Sequence, residues 1–181
     1  MENQVLLDIT KKSIEKKFDE TVKIDKTKLL TDFPFLAQNG ATFVTLTLNN
    51  QLRGCIGSLQ AKRALLDDLI SNAYAAAFED PRFYELTRDE FKKVKIEISI
   101  LSTPVEVIYK DIEDLKSKIK PNMHGVILQK DGQRSTFLPQ VWEQLPTFEE
   151  FFSHLCYKGS FEENCLEFHP QIFTYEVKKI K

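Results

Sequence analysis

The sequence predicts an α+β fold with a largely antiparallel sheet. Strand-like alternation recurs along the chain, apolar repeats of helical spacing are interspersed with it, and most strands are joined by short hairpin turns.

Taken in order, residues 4–18 read as a helix, with Leu6, Ile9 and Ser13 on one side and lysines on the other. Residues 23–39 read as irregular around Pro34, closing at Gly40. Residues 41–48 alternate Val44, Leu46 and Leu48 against Phe43, Thr45 and Thr47, the period of a strand. Asn49-Asn50 is a turn signal, so residues 51–56 form the return strand of a hairpin. Residues 62–78 place Leu66, Leu69, Ile70, Ala73 and Ala77 at helical spacing, and the alanines point to close packing. Asp80-Pro81 ends that helix. Val94, Ile96, Ile98 and Ile100 alternate with Lys95, Glu97 and Ser99 as a second clear strand. Residues 105–109 follow as a third, and residues 111–119 as a short polar helix. Residues 125–128 and 135–138 flank Asp131-Gly132, a strong hairpin-turn pair. Phe148, Phe151, Phe152 and Leu155 share one helical face, and residues 171–177 alternate again. Residues 110–122 are the least structured zone, where two lobes would join.

The chain has 181 residues, 42% of them hydrophobic, which suits one domain with a sizeable core. A net charge of -2 disfavours nucleic-acid binding, which usually needs a basic surplus. Cys55, Cys156 and Cys165 show no C-x-x-C spacing and fit reduced thiols better than a disulfide framework. The N-terminus lacks the apolar core of a signal peptide, and nothing approaches the roughly 18 apolar residues of a membrane span. These features lead us to expect a cytoplasmic protein with no membrane association.

The chemistry concentrates in Leu52-Arg53-Gly54-Cys55-Ile56-Gly57. Gly54 and Gly57 allow a tight turn and a close approach. Arg53 puts a positive charge near a thiol, which favours the thiolate. The stretch could supply a nucleophile, a metal ligand or an anion-binding turn; a buried cysteine in a strand-to-helix connection is the plainer alternative. His124 is a candidate proton acceptor or a turn histidine satisfied by backbone, and Glu97 a carboxylate partner or a solvated strand residue. Asp80 and Arg82 either grip a ligand or lock their own loop. Gln140, in Leu138-Pro139-Gln140-Val141, can both donate and accept. His154 and His169 have weaker contexts. No G-x-G-x-x-G, P-loop or H-E-x-x-H motif occurs, nor a zinc spacing, so no cofactor is assigned and no metal site is expected.

These pieces together resemble the AMMECR family, also named protein A of the AmmeMemoRadiSam system. The resemblance rests on Leu52 to Gly57, then Ala75-Ala76-Ala77-Phe78-Glu79-Asp80-Pro81-Arg82-Phe83, Ile96-Glu97-Ile98-Ser99-Ile100-Leu101-Ser102, His124-Gly125-Val126-Ile127-Leu128 and Leu138-Pro139-Gln140-Val141. It departs at Lys158-Gly159-Ser160, where the family usually shows Lys-Ala-Gly. The resemblance implies one α+β domain with two unequal lobes and a cleft between them. It also implies association with a radical S-adenosylmethionine protein and a Memo-like protein. From it and the residues together we expect a component that binds a small polar or anionic ligand near Cys55. In that scheme Cys55, His124 and Glu97 are catalytic candidates, and Arg53, Gly54, Gly57, Asp80, Arg82 and Gln140 contact the ligand. A non-catalytic adaptor for those two proteins is the alternative.

Overall fold

The computed structural model describes residues 1–162 and 164–181. The chain divides into two compact units, Met1–Leu101 with Lys178–Lys181, and Ser102–Val177. The α+β class holds: antiparallel strands with flanking helices make up both.

The first unit opens with α1 (Glu2–Glu15), which buries Leu6, Ile9 and Ile14. Where an irregular stretch was expected, α2 (Lys26–Asp32) forms, because the Asp25 carboxylate accepts from the Lys28 amide and caps it. Pro34 then opens a short 3₁₀ turn. The sheet order is β2 (Gln51–Gly57), β1 (Asn39–Leu48), β4 (Lys95–Leu101), β9 (Val177–Ile180), with β3 (Arg63–Ala64) pairing on β1. Asn49 and Asn50 have φ of 51° and 61°, the left-handed pair that a two-residue hairpin turn requires. Helix α3 (Leu65–Phe78) begins three residues later than the periodicity suggests, since residues 63–64 pair with β1. It covers the face carrying Val44, Leu46 and Ile98, each fully buried. Ala73, Ala76 and Ala77 keep α3 close to the sheet. The approach is so close that a Cβ on Gly54 would lie 2.0 Å from the Ala76 carbonyl oxygen. After it comes α4 (Arg88–Phe91), started by a Thr87/Glu90 capping box.

The second unit holds the sheet β5 (Val105–Glu106), β8 (Gln171–Tyr175), β6 (Gly125–Lys130), β7 (Gln133–Phe137). Asp131 and Gly132, at φ of 49° and 80°, turn the β6–β7 hairpin as expected. Strand β5 is shorter than the alternation suggested. Beyond it the chain is held instead by the Val107 amide on the Ile172 carbonyl and the Tyr109 hydroxyl on the Pro170 carbonyl. The proposed lobe junction at 110–122 is corrected: it lies inside this unit and carries α5 (Ile112–Lys118), capped by Asp111. The expected strand over 171–177 ends at Tyr175, and the chain continues into β9 of the other sheet. Helix α6 (Phe148–Lys158) drives its aromatic face into the core, with Phe151 stacked on Trp142 at 3.7 Å.

The cysteine expectation is also corrected. Cys156 and Cys165 form a disulfide that ties α6 to the 3₁₀ turn Cys165–Phe168, and Cys55 is the free thiol. Both bridged cysteines are buried, so burial brought together two residues whose spacing carries no motif. Among the described residues no helix is long and apolar enough to cross a membrane.

Candidate functional site

Cys55 sits within β2, a strand at the edge of its sheet. The hairpin starts in simple register, Leu48 opposite Gln51 and Thr47 opposite Leu52. A bulge then leaves Arg53 unpaired, and Gly54 faces Leu46 while Cys55 faces Thr45. This slip of one residue turns Gly54 toward α3 and Cys55 to the opposite face of the sheet. There the thiol is half-buried, and its sulfur lies 3.3 Å from the Thr45 hydroxyl.

An edge strand exposes its outer amides and carbonyls. At Cys55 both are covered by one loop. Its amide donates to Asp80 Oδ2 at 2.8 Å, and its carbonyl accepts from Arg82 Nη2 at 3.1 Å. Asp80 also accepts from Arg82 Nε and Nη2, at 2.9 and 2.7 Å, and from the Arg82 amide. The Arg82 guanidinium, helped by the Cys55 amide, holds the buried Asp80 carboxyl well below the usual carboxylate range. The loop-lock alternative for Asp80 and Arg82 is therefore present, extended to grip Cys55 itself.

Arg53 does not act as a lone cation beside the thiol, and that expectation is corrected. It forms a bidentate pair with Glu90, Nε to Oε1 at 2.9 Å and Nη2 to Oε2 at 3.0 Å, and donates to the Glu85 carbonyl. This pairing lowers Glu90 to about 2. Phe83 packs against both the Arg53 and Arg82 guanidiniums. The glycines are corrected too. Gly54 and Gly57 belong to a paired strand and not to an anion-binding turn. Gly54 admits α3, and Gly57 admits the Phe43 ring, which a Cβ would meet at 2.3 Å.

Glu97 lies on the same cross-strand row as Cys55, since Thr45 pairs with both. Two strand spacings separate their backbones by roughly 10 Å. The Glu97 carboxylate turns to Lys181 at 3.0 Å and Lys179 at 3.9 Å. His124 and Gln140 belong to the second unit. His124 Nδ1 accepts the Lys120 amide at 3.2 Å, the backbone satisfaction weighed from sequence, and burial lowers its pKa. The neutral ring so held carries its proton on Nε2. Gly125 beside it makes room for the Tyr175 ring. Gln140 is exposed in the 3₁₀ turn Pro139–Glu143. His154 Nδ1 meets the Glu150 carbonyl, and His169 stacks on Tyr109.

Thr45 and Glu90 are the site residues that the sequence reading missed. Glu90 carried a signal, as the fourth residue of Thr87-Arg88-Asp89-Glu90, but that pattern speaks of a helix cap and not of Arg53. Thr45 carried none beyond its place on the polar side of β1. Among the described residues no cluster of three or more His, Cys, Asp or Glu is placed to hold a metal ion.

A family model described as AMMECR1 matches residues 7–180. Protein SSO0193 of Saccharolobus solfataricus is 38% identical over 173 residues, covering 90% of this chain and 73% of its own. A protein of Methanothermobacter thermautotrophicus is 30% identical over 180 residues, covering 96% of this chain and 90% of its own. The crystal structure of the uncharacterized protein PH0010 from Pyrococcus horikoshii superposes with a TM-score of 0.78 at 27% identity, over 97% of this chain and 88% of that one.

Proposed function

The chain belongs to the AMMECR1 family, and from that premise we propose that it binds a small polar ligand on the sheet face around Cys55, with the thiol as the reactive group. One observation carries the reading: Asp80 and Arg82 together fix the backbone of Cys55 from both its amide and its carbonyl. A thiol serving only as packing needs no such fixing, whereas a group that must meet a ligand gains from a preset position. The half-buried sulfur with a hydroxyl beside it suits a polar ligand. Each neighbouring guanidinium is matched by a carboxylate, Arg53 by Glu90 and Arg82 by Asp80, which favours a polar ligand over a strongly anionic one. Action beside a radical S-adenosylmethionine protein and a Memo-like protein is supported by the sequence resemblance alone.

A non-catalytic adaptor is the second reading. Tyr84, 94% exposed, and Leu52 stand out in the segments that make up the Cys55 edge, and such side chains suit a partner surface. Cys55→Ser separates the two. Ligand chemistry at the thiol predicts a variant that melts as the wild type does but fails to complement a deletion strain. Full complementation sinks the thiol reading. Loss of partner capture by Tyr84→Ala, with Cys55→Ser fully active, establishes the adaptor.

A further inference from the structure

A second polar site lies on the other face of the first sheet. Thr42 directs its hydroxyl to Asp68 and Thr45 directs its own to Cys55. Residues an odd number apart on a strand point to opposite faces. On the Thr42 side, Ser58, Leu59, Gln60, Lys62, Arg63 and Asp68 line a cavity of about 480 Å³.

We propose that this cavity binds a phosphate group, as the free ion or as the ester of a small molecule. Its anchor is Asp68, only 1% exposed. One oxygen accepts from the Thr42 amide, the Thr42 hydroxyl and the Asn72 amide group, at 2.8, 2.8 and 2.9 Å. The other accepts from Ser58 Oγ at 2.7 Å and Arg63 Nε at 2.9 Å. A buried carboxylate needs partners of this number, and here they leave it no vacant acceptor edge toward the cavity. The pairing has a consequence for Arg63. Only Nε is engaged, so both Nη groups keep their N–H donors while the bond to the buried carboxylate anchors the guanidinium beside the cavity. A planar fork held in this way is suited to bidentate capture of an oxyanion.

Lys62 and Gln60 complete the lining, an ammonium and an amide whose side chains have no partner among the described residues. Lys62 and Arg63 against Asp68 leave the cavity one positive charge in excess. Phosphate oxygens point to the corners of a tetrahedron and can meet the Arg63 fork, Lys62 and Gln60 from different sides, whereas the acceptors of a carboxylate lie in one plane. If Arg63 served only to close its loop on Asp68, the Nε contact would suffice and the cavity would not discriminate among anions.

The test is a titration of the full chain with inorganic phosphate and with glycerol 3-phosphate at matched ionic strength, followed by amide chemical shifts. Saturable shifts confined to residues 58–64 are expected. Arg63→Met should weaken them about tenfold or more, and Arg63→Lys should restore only part of the loss, because it returns the charge without the fork. Since Arg63→Met removes one partner of Asp68, a Gln60→Ala/Lys62→Ala double variant is run beside it. That variant touches no partner of Asp68 and should bind more weakly with an unchanged melt. Tighter binding of glycerol 3-phosphate identifies an esterified ligand, and equal binding the free ion. Non-saturating shifts spread over surface lysines, or phosphate binding by Arg63→Met equal to the wild type, overturn the proposal.

Discussion

Asp80→Asn tests whether the loop after α3 holds Cys55 in place. The side chains are nearly isosteric, so the change makes no cavity. Its effect follows from the donor count. Asp80 Oδ1 receives the Arg82 amide and Nε, and Oδ2 receives the Cys55 amide and Arg82 Nη2. Whichever way the new amide flips, its NH₂ faces two donors and both bonds fail. A hydrogen bond to a charged group contributes about 1.5–3 kcal/mol. Arg82 is half exposed and regains water, which discounts its share. A net loss of about 2 kcal/mol remains, or roughly 4–8 °C in melting temperature for a chain of this length. The pH dependence has a defined sign. Asp80 has a depressed folded pKa, so its stabilisation is present above the unfolded value of about 3.9 and is lost as pH falls through the folded one. The wild-type advantage over Asp80→Asn should stay flat from about pH 5 to 8 and close under stronger acid. Thermal melts across pH give the first readout and hydrogen exchange at the Cys55 amide the second. That amide lies at a sheet edge and should exchange faster in the variant. Unchanged melting together with unchanged Cys55 exchange would refute the argument.

Gly54→Ala should destabilise the chain by about 3 kcal/mol, because α3 has to move off β2 to admit the methyl group; a denaturant midpoint within error of the wild type contradicts this. Without reductant, iodoacetamide should label Cys55 alone, and all three cysteines only after reduction and unfolding, as read by mass spectrometry. Reducing the Cys156–Cys165 bridge should cost about 2–3 kcal/mol, the loop-closure value for residues nine apart in sequence, and a melt indifferent to reductant would exclude the bridge.

Much of the architecture was legible from local pattern. Alternation located β1 and β4, the Asn49-Asn50 turn located β2 as a return strand, the Asp131-Gly132 pair located a second hairpin, and the leucine and alanine spacing located α3. These depend on backbone preferences and on periodicity, which residues carry with them wherever they sit. The partner of Arg53 was not legible, because Glu90 lies 37 residues away and is also a helix cap. The disulfide was not legible either, since Cys156 and Cys165 share no diagnostic spacing and meet only where α6 packs.

The sequence by itself determined that Cys55 lies on a hairpin strand between two glycines. Which side of the sheet it faces was decided by the tertiary structure. A two-residue turn continued in simple register would place Cys55 opposite Val44, in the core beneath α3. The bulge at Arg53 shifts it to Thr45 on the other face. The bulge is accompanied by contacts from distant parts of the chain: Glu90 holds the unpaired Arg53, α3 lies against Gly54 where only hydrogen fits, and Asp80 and Arg82 cover the strand edge. A strand's side chains alternate with period two, so a one-residue slip exchanges core for surface, and local sequence preference does not set that slip.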